Sequence, residues 1–311
     1  MEKILITGAT GNVGMTTLKL LESRKYPGIE VVAAVRDIER ARKIEGIANC
    51  NFCQFEFDEP ATYDKVLEGV TKIVLIRPNQ VTDVSSYIFP FLAKAEQTGV
   101  KHIVFISIVG AERNRIFANH RTENHFKKLN IPSTILRPSL YMQNLSTFHR
   151  HDIQAHDKIN IPGGAGLVNY IDVRDVAEAI VTVLMNPGHE NQAYEITGPE
   201  ALDFYQIAKI FSNELGREIK YTRPSAIRFV RQKLVDKKQL LYVLTLTLLY
   251  NVVRGGKMNY TNNIFHTITG RDPRNLTDYI HEYRECWLKT NQKKKSPGLK
   301  KRLHLPIILI P

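Results

Sequence analysis

Long apolar runs are missing from this chain of 311 residues. The longest, Leu240 to Leu249 (LLYVLTLTLL), falls well short of the ~20 residues a bilayer-spanning helix needs. It reads as a buried helix or a lid over a pocket. No secretory leader is expected, because Met1-Glu2-Lys3 leads straight into an apolar strand. Cysteine is scarce: Cys50, Cys53 and Cys286 make three, an odd number that builds no disulfide framework and suits a reducing cytoplasm. Cys50 and Cys53 have C-x-x-C spacing, but no second pair accompanies them, so no metal site is expected. No repeat recurs along the chain, and no zinc or helix-turn-helix spacing points to nucleic acid. Acids are absent from the end of the chain. Lys289, Lys293, Lys294, Lys295, Lys300, Lys301 and Arg302 supply seven of the formal +12, leaving +5 over residues 1–288. The basic excess reads as a solvated tail rather than a nucleic-acid surface.

What the chain does have is concentrated at Lys3 to Leu21, KILITGATGNVGMTTLKLL. Ile4, Leu5 and Ile6 read as a buried strand, and Val13, Thr17, Leu18, Leu20 and Leu21 recur at helical spacing. Between them lies Thr7-Gly8-Ala9-Thr10-Gly11-Asn12-Val13-Gly14. Strand, glycine turn and helix form the first unit of a nucleotide-binding βαβ fold. Gly8 allows the sharp turn, Gly11 lets a pyrophosphate approach the backbone, and Gly14 lets the helix pack against the strand. The backbone N–H groups around Thr10, Asn12 and Val13 then open toward the phosphates at the helix start. The spacing is G-x-x-G-x-x-G rather than G-x-G-x-x-G, so the flanking strand and helix carry much of the signal.

The second strand, Glu30 to Val35, ends at Arg36 and Asp37 with no acid at its tip. An acid there accepts from the ribose 2′-hydroxyl of NAD, whereas an arginine suits the 2′-phosphate of NADP. NADP(H) is therefore expected over NAD(H). Asp37 also fits a helix cap. A third strand is expected over Asn51 to Phe57. Asp58 follows it as a candidate for the adenine end of the site or a cap before Pro60, and a short helix over Pro60 to Val70 comes next. The fourth strand, Lys72 to Ile76, runs into the polar loop Arg77-Pro78-Asn79-Gln80, and the fifth, Lys101 to Ser107, ends at Ser107. Both Arg77 and Ser107 therefore fall at carboxyl-terminal strand ends, where such sheets bind ligands. A helix is expected over Arg115 to Asn130 and a sixth strand over Pro132 to Leu136.

This alternation predicts a doubly wound parallel sheet of the Rossmann type over residues 1–138. Residues 139–288 read as a smaller, mainly helical substrate region on the sheet's carboxyl edge, with Leu140 to His156 helical. Residues 289–311 read as a disordered basic tail. Monomer and homodimer both stay open.

With these pieces placed, the chain resembles the NmrA-like group of atypical short-chain dehydrogenases. The likeness rests on ITGATGNVG at 6–14, AAVRD at 33–37, HIVFISIVG at 102–110, TILRPSLYMQNL at 134–145, IDVRDVAEA at 171–179 and YEITGPEALDFYQIA at 194–208. It spans roughly residues 3 to 285. The resemblance implies an NADP(H) site with Gly8, Gly11 and Gly14 at the pyrophosphate and Arg36 at the 2′-phosphate. It implies Tyr141 and Asn144 of the Arg-Pro-x-x-Tyr-x-x-Asn stretch beside the nicotinamide. The group includes NADPH-dependent quinone and azo-dye reductases, and cofactor-sensing regulators without turnover.

The chain departs from the wider superfamily at the catalytic dyad. Short-chain dehydrogenases that interconvert alcohols and ketones use Tyr-x-x-x-Lys on the helix after the fifth strand. There the lysine lowers the tyrosine pKa. Here that helix carries Phe117 and Arg121 at the same spacing. Tyr205 and Lys209 have the spacing but lie on a helix far past the sheet. Alcohol chemistry and sugar-nucleotide epimerisation are weakened together. Hydride transfer to a quinone asks less of the protein, and His120, with a pKa naturally near neutrality, is a candidate proton donor. Asn119 or Arg121 could stabilise the developing charge. Three readings follow: a quinone-type reductase of a small molecule, a non-catalytic NADP(H) sensor, and an epimerase-like enzyme.

Overall fold

The computed structural model describes residues 2–78, 81–115, 117–236 and 240–289. The expectations for Asn79, Gln80 and the tail from Thr290 onward lie outside the described residues. The first half runs β1 (Glu2–Ile6), α1 (Asn12–Arg24), β2 (Ile29–Val35), α2 (Ile38–Arg42), β3 (Asn51–Gln54), α3 (Tyr63–Leu67), β4 (Lys72–Leu75), α4 (Val84–Gln97), β5 (His102–Ile106), α5 (Ala118–Phe126) and β6 (Ser133–Pro138). Then come β7 (Leu140–Tyr141), α6 (Gln143–Ser146), α7 (Arg150–His156), β8 (Lys158–Ile159), β9 (Val168–Ile171), α8 (Val173–Met185), β10 (Ala193–Ile196) and β11 (Ala201–Leu202). The chain continues through α9 (Phe204–Leu215), β12 (Lys220–Tyr221), α10 (Ala226–Val235), α11 (Leu240–Arg254), α12 (Ile264–Thr269) and α13 (Leu276–Tyr283).

Seven strands form one sheet in the order β10-β6-β5-β4-β1-β2-β3. Every pairing in it is parallel. The order reverses direction between β1 and β4, which is the topological switch point where doubly wound sheets bind ligands. The central strands are apolar on both faces because helices cover both. Ile4, Ile6, Val74 and Val104 pack toward α1 and α8, while Leu5, Ile73, Leu75 and Phe105 pack toward α3 and α4. The seventh strand, β10, and the helix α8 that packs on α1 come from beyond residue 138. The dinucleotide-fold layer therefore draws on both sequence regions.

Three local expectations are corrected. β3 ends at Gln54, not Phe57; the Phe55 N–H still donates to the Val35 carbonyl of β2 at 2.9 Å, and the Phe55 and Phe57 rings join Tyr63 and Phe91 in an aromatic cluster. Leu140 to His156 is not one helix: Leu140 and Tyr141 pair with β9, and a non-helical Thr147 separates α6 from α7. The helix expected over Arg115 to Asn130 is the shorter α5, which starts after an extended Phe117.

The second core gathers Trp287, Tyr250, Tyr279, Phe204, Phe211 and Phe229, all essentially unexposed. Trp287 closes it by donating from Nε1 to the Leu145 carbonyl at 3.1 Å. Inside this core Lys233 of α10 donates to Asp152 of α7 at 2.6 Å, with both side chains buried. The ammonium also lies 5.1 Å from the Phe148 ring centroid and 5.9 Å from that of Phe229. Taking one charge away leaves the other desolvated, with Asp236 at 3.7 Å as its remaining acid. Asp152→Ala should therefore lower unfolding free energy in urea by about 3 kcal/mol, and Asp152→Leu with Lys233→Met should recover most of that loss. A wild-type midpoint for Asp152→Ala would contradict the role given to the pair.

Candidate functional site

At the end of β1 the chain turns through Gly8, whose φ of +60° lies in the region that favours glycine. The Gly8 carbonyl accepts from the Gly11 N–H at 2.9 Å, closing the turn. Thr7 fixes the turn to the neighbouring strand end. Its hydroxyl reaches the Ile76 carbonyl at 3.1 Å and accepts from the Ile76 N–H at 2.8 Å. Gly14 sits in the first turn of α1, where an added Cβ would collide with the Gly8 carbonyl oxygen and lie 2.9 Å from the Ala9 Cα. Gly11 is the N-cap of α1, and no side chain caps the helix there. Thr10, Asn12 and Val13 flank that end. A helix of 13 residues thus begins at the switch point with backbone donors that no cap side chain satisfies. A dinucleotide pyrophosphate fits this cradle because glycine removes the side chains that would fill it.

Arg36 follows β2 and is largely exposed, with only a long 3.9 Å approach to Glu56. Asp37 caps α2 by accepting from the Arg40 N–H at 2.9 Å. Asp58 is exposed past β3 and caps nothing; the short turn that follows has Glu59 at its cap position. Arg77 and Ser107 take structural partners. Arg77 is buried and donates to the carbonyls of Pro78 and Val81 and to Asn119 Oδ1 at 2.9 Å, tying α5 to the end of β4. Burial, with Arg121 nearby, pulls its pKa down to about 10. Ser107 donates at 2.5 Å to Glu123 Oε1. Glu123 in turn accepts two hydrogen bonds from Arg137, at 3.1 and 2.7 Å. This buried cluster locks the ends of β5 and β6 to α5. Sequence reading missed it, although an acid six residues into a short helix opposite an Arg-Pro strand end was a visible signal.

Tyr141 in β7 and Asn144 in α6 both follow the carboxyl end of β6. Tyr141 is buried and its hydroxyl has no partner among the described residues. Burial holds its pKa far above the ordinary range, so the phenol stays protonated. Asn144 Nδ2 is likewise buried without a partner. An unmet buried donor costs about 1–3 kcal/mol. Gln143 positions this segment. It donates to Asp172 Oδ1 at 3.0 Å and accepts from the Val173 N–H at 3.1 Å, joining α6 to the start of α8.

His120, the candidate proton donor, lies on α5 with both ring nitrogens against protein groups. Its Nδ1 lies 2.9 Å from the Ala111 carbonyl and its Nε2 lies 2.7 Å from Asn124 Nδ2. Asn119 is committed to Arg77, and Arg121 donates to the Thr82 carbonyl. Cys50 is a buried free thiol pushed up to about 11 by burial, and Cys53 is also free. Among the described residues no group of three or more His, Cys, Asp or Glu side chains is placed to hold a metal. No described helix is long and apolar enough to cross a membrane.

Together the sheet order and the glycine-opened helix at the switch point define a protein of the doubly wound, dinucleotide-binding class. Within that class the chain belongs to the NmrA-like family, whose model matches residues 1–278. It is 29% identical to Prestalk A differentiation protein A of Dictyostelium discoideum, over 90% of this chain and 91% of that protein. It is 32% identical to an NAD(P)H azoreductase of Xenophilus azovorans, over 70% of this chain and 76% of that enzyme. Its fold is also that of an NADPH-dependent quinone oxidoreductase from Escherichia coli solved with NADPH, with a TM-score of 0.82, 22% identity and coverage of 90% of this chain and 99% of the other.

The close approach at Gly14 gives a direct test of the cradle. Gly14→Ala should cost about 1–3 kcal/mol of stability by overpacking and should weaken dinucleotide binding, measured by urea unfolding and by fluorescence titration. Unchanged stability and affinity would contradict the contact.

Proposed function

We propose that this chain is an NAD(P)H-dependent oxidoreductase that takes NADPH in preference to NADH and reduces a quinone or a similarly electron-poor small molecule. The observation that carries the reading is the uncapped, glycine-lined start of α1 at the β1/β4 switch point, with Arg36 at the tip of the adjacent β2. Family membership and the enzymes named among its relatives support the redox class.

When bound, a reduced nicotinamide supplies the hydride. The chain's own residues bind and orient. Backbone N–H groups at the start of α1 would hold the pyrophosphate, and the Arg36 guanidinium would pair with the 2′-phosphate. Tyr141 and Asn144 each offer a hydrogen-bond donor without a partner among the described residues. A phenol held protonated far above neutrality is a poor proton-transfer acid but a good donor to a carbonyl or carboxamide oxygen. That suits an acceptor whose reduced form is a stable phenolate and needs no strong acid. The carbonyl-reducing dyad is missing: α5 runs Ala-Asn-His-Arg-Thr-Glu-Asn-His-Phe with no tyrosine or lysine. Its absence weighs against an epimerase-like enzyme and favours, as the second reading, an NADP(H) sensor that turns nothing over.

NADPH oxidation by the purified protein with a panel of quinones, and with NADH as control, separates the readings. The reductase predicts saturable, quinone-dependent turnover with NADPH preferred. Tight NADPH binding without turnover on any acceptor would move the assignment to the sensor. Arg36→Ala should raise KM for NADPH at least about tenfold, the loss of a charge-assisted contact, with KM for NADH nearly unchanged. Equal changes for both would overturn the 2′-phosphate role.

A further inference from the structure

Charge outside the tail is not evenly spread. Residues 223–257 hold Arg223, Arg228, Arg231, Lys233, Lys237, Lys238, Arg254 and Lys257 against the single acid Asp236, a net +7. The +5 of residues 1–288 therefore resolves into this one stretch and a net −2 everywhere else. The stretch covers the helix pair α10 and α11, which pack on each other.

Among the described residues, the exposed large aliphatic side chains all lie on this helix pair. On α10, Ile227 is 84% and Val235 75% exposed, with Leu234 also open to solvent. On α11, Leu240, Leu244 and Leu248 are exposed at helical i, i+4, i+8 spacing. The opposite face of α11 buries Val243, Leu246, Tyr250 and Val253 in the second core, and Lys233 and Phe229 anchor α10 there. The outward row is thus surplus to folding. Arg223, Arg228, Arg231, Arg254 and Lys257 around it are all exposed.

We propose that the α10–α11 helix pair docks on an anionic lipid surface, laying its aliphatic row into the headgroup–acyl boundary with the arginines against lipid phosphates and carboxylates. Three features select this occupant. The charge is of one sign, so it complements an acidic surface. A second copy of this chain would bring the same positive charge to the same face. Among the described residues, the exposed large apolar side chains of the two helices are leucine, isoleucine and valine, without the tyrosine and tryptophan anchors that mark protein interfaces.

Flotation of the full chain with vesicles of phosphatidylserine and phosphatidylcholine in equal parts, and with pure phosphatidylcholine, tests this. Binding to the mixed vesicles alone, weakened by salt, is expected. Leu244→Asp with Leu248→Asp should reduce partitioning at least about tenfold. Arg228→Glu with Arg231→Glu should reduce it similarly. Both pairs are exposed and outside the dinucleotide site, so melting temperature and NADPH affinity should stay at parental values. No binding to mixed vesicles, or equal binding by the leucine variant, would overturn the proposal. So would a parental dimer in light scattering that the leucine variant abolishes, because the row would then serve a second copy.

Discussion

At Gly14 the first helix meets the turn that precedes it with no room for a single added carbon beside the Gly8 carbonyl. That contact sets the distance between α1 and β1, and much of the molecule follows from it. With α1 held close, α8 can pack on its far side and carry β10 to the edge of the sheet. With Gly11 at its cap, the helix starts without a side chain across its backbone donors. One steric constraint thus serves both the packing of the first core and the opening of an anion-binding end.

The carboxyl edge of the sheet divides its polar groups into two kinds. Ser107, Glu123 and Arg137 satisfy one another in a buried cluster, and Arg77 satisfies Asn119 and two carbonyls. These residues fix the relative positions of β4, β5, β6 and α5. Tyr141 Oη and Asn144 Nδ2 are buried without partners among the described residues.

The sheet was legible in the sequence because its signals are local. Each central strand is a short apolar run followed by a turn, and Gly8, Gly11 and Gly14 have steric roles that spacing alone suggests. Asp37 was readable as a cap for the same reason. What could not be read depends on partners distant in the chain. His120 read as a free side chain; its contacts with the Ala111 carbonyl and Asn124 become visible only once α5 is placed. Phe55 and Phe57 have strand-like alternation, yet β3 ends before them and both rings pack on Phe91, from another helix. The Arg-Pro-x-x-Tyr-x-x-Asn stretch was noticed, but its positioning by Gln143 through Asp172 required β9 and α8 to be in place. The tail's charge was conspicuous, whereas the equal charge of the α10–α11 stretch was diluted by the acids of the rest of the chain.

The central claim is that the glycine turn and Arg36 form one dinucleotide site selective for a 2′-phosphate. Calorimetric titration of the full-length protein with NADPH and, separately, with NADH tests it most directly. The account predicts one NADPH per chain, bound at least about tenfold more tightly than NADH, the loss of one charge-assisted contact. Equal affinities would contradict the selectivity, and no binding heat from either dinucleotide would contradict the site itself.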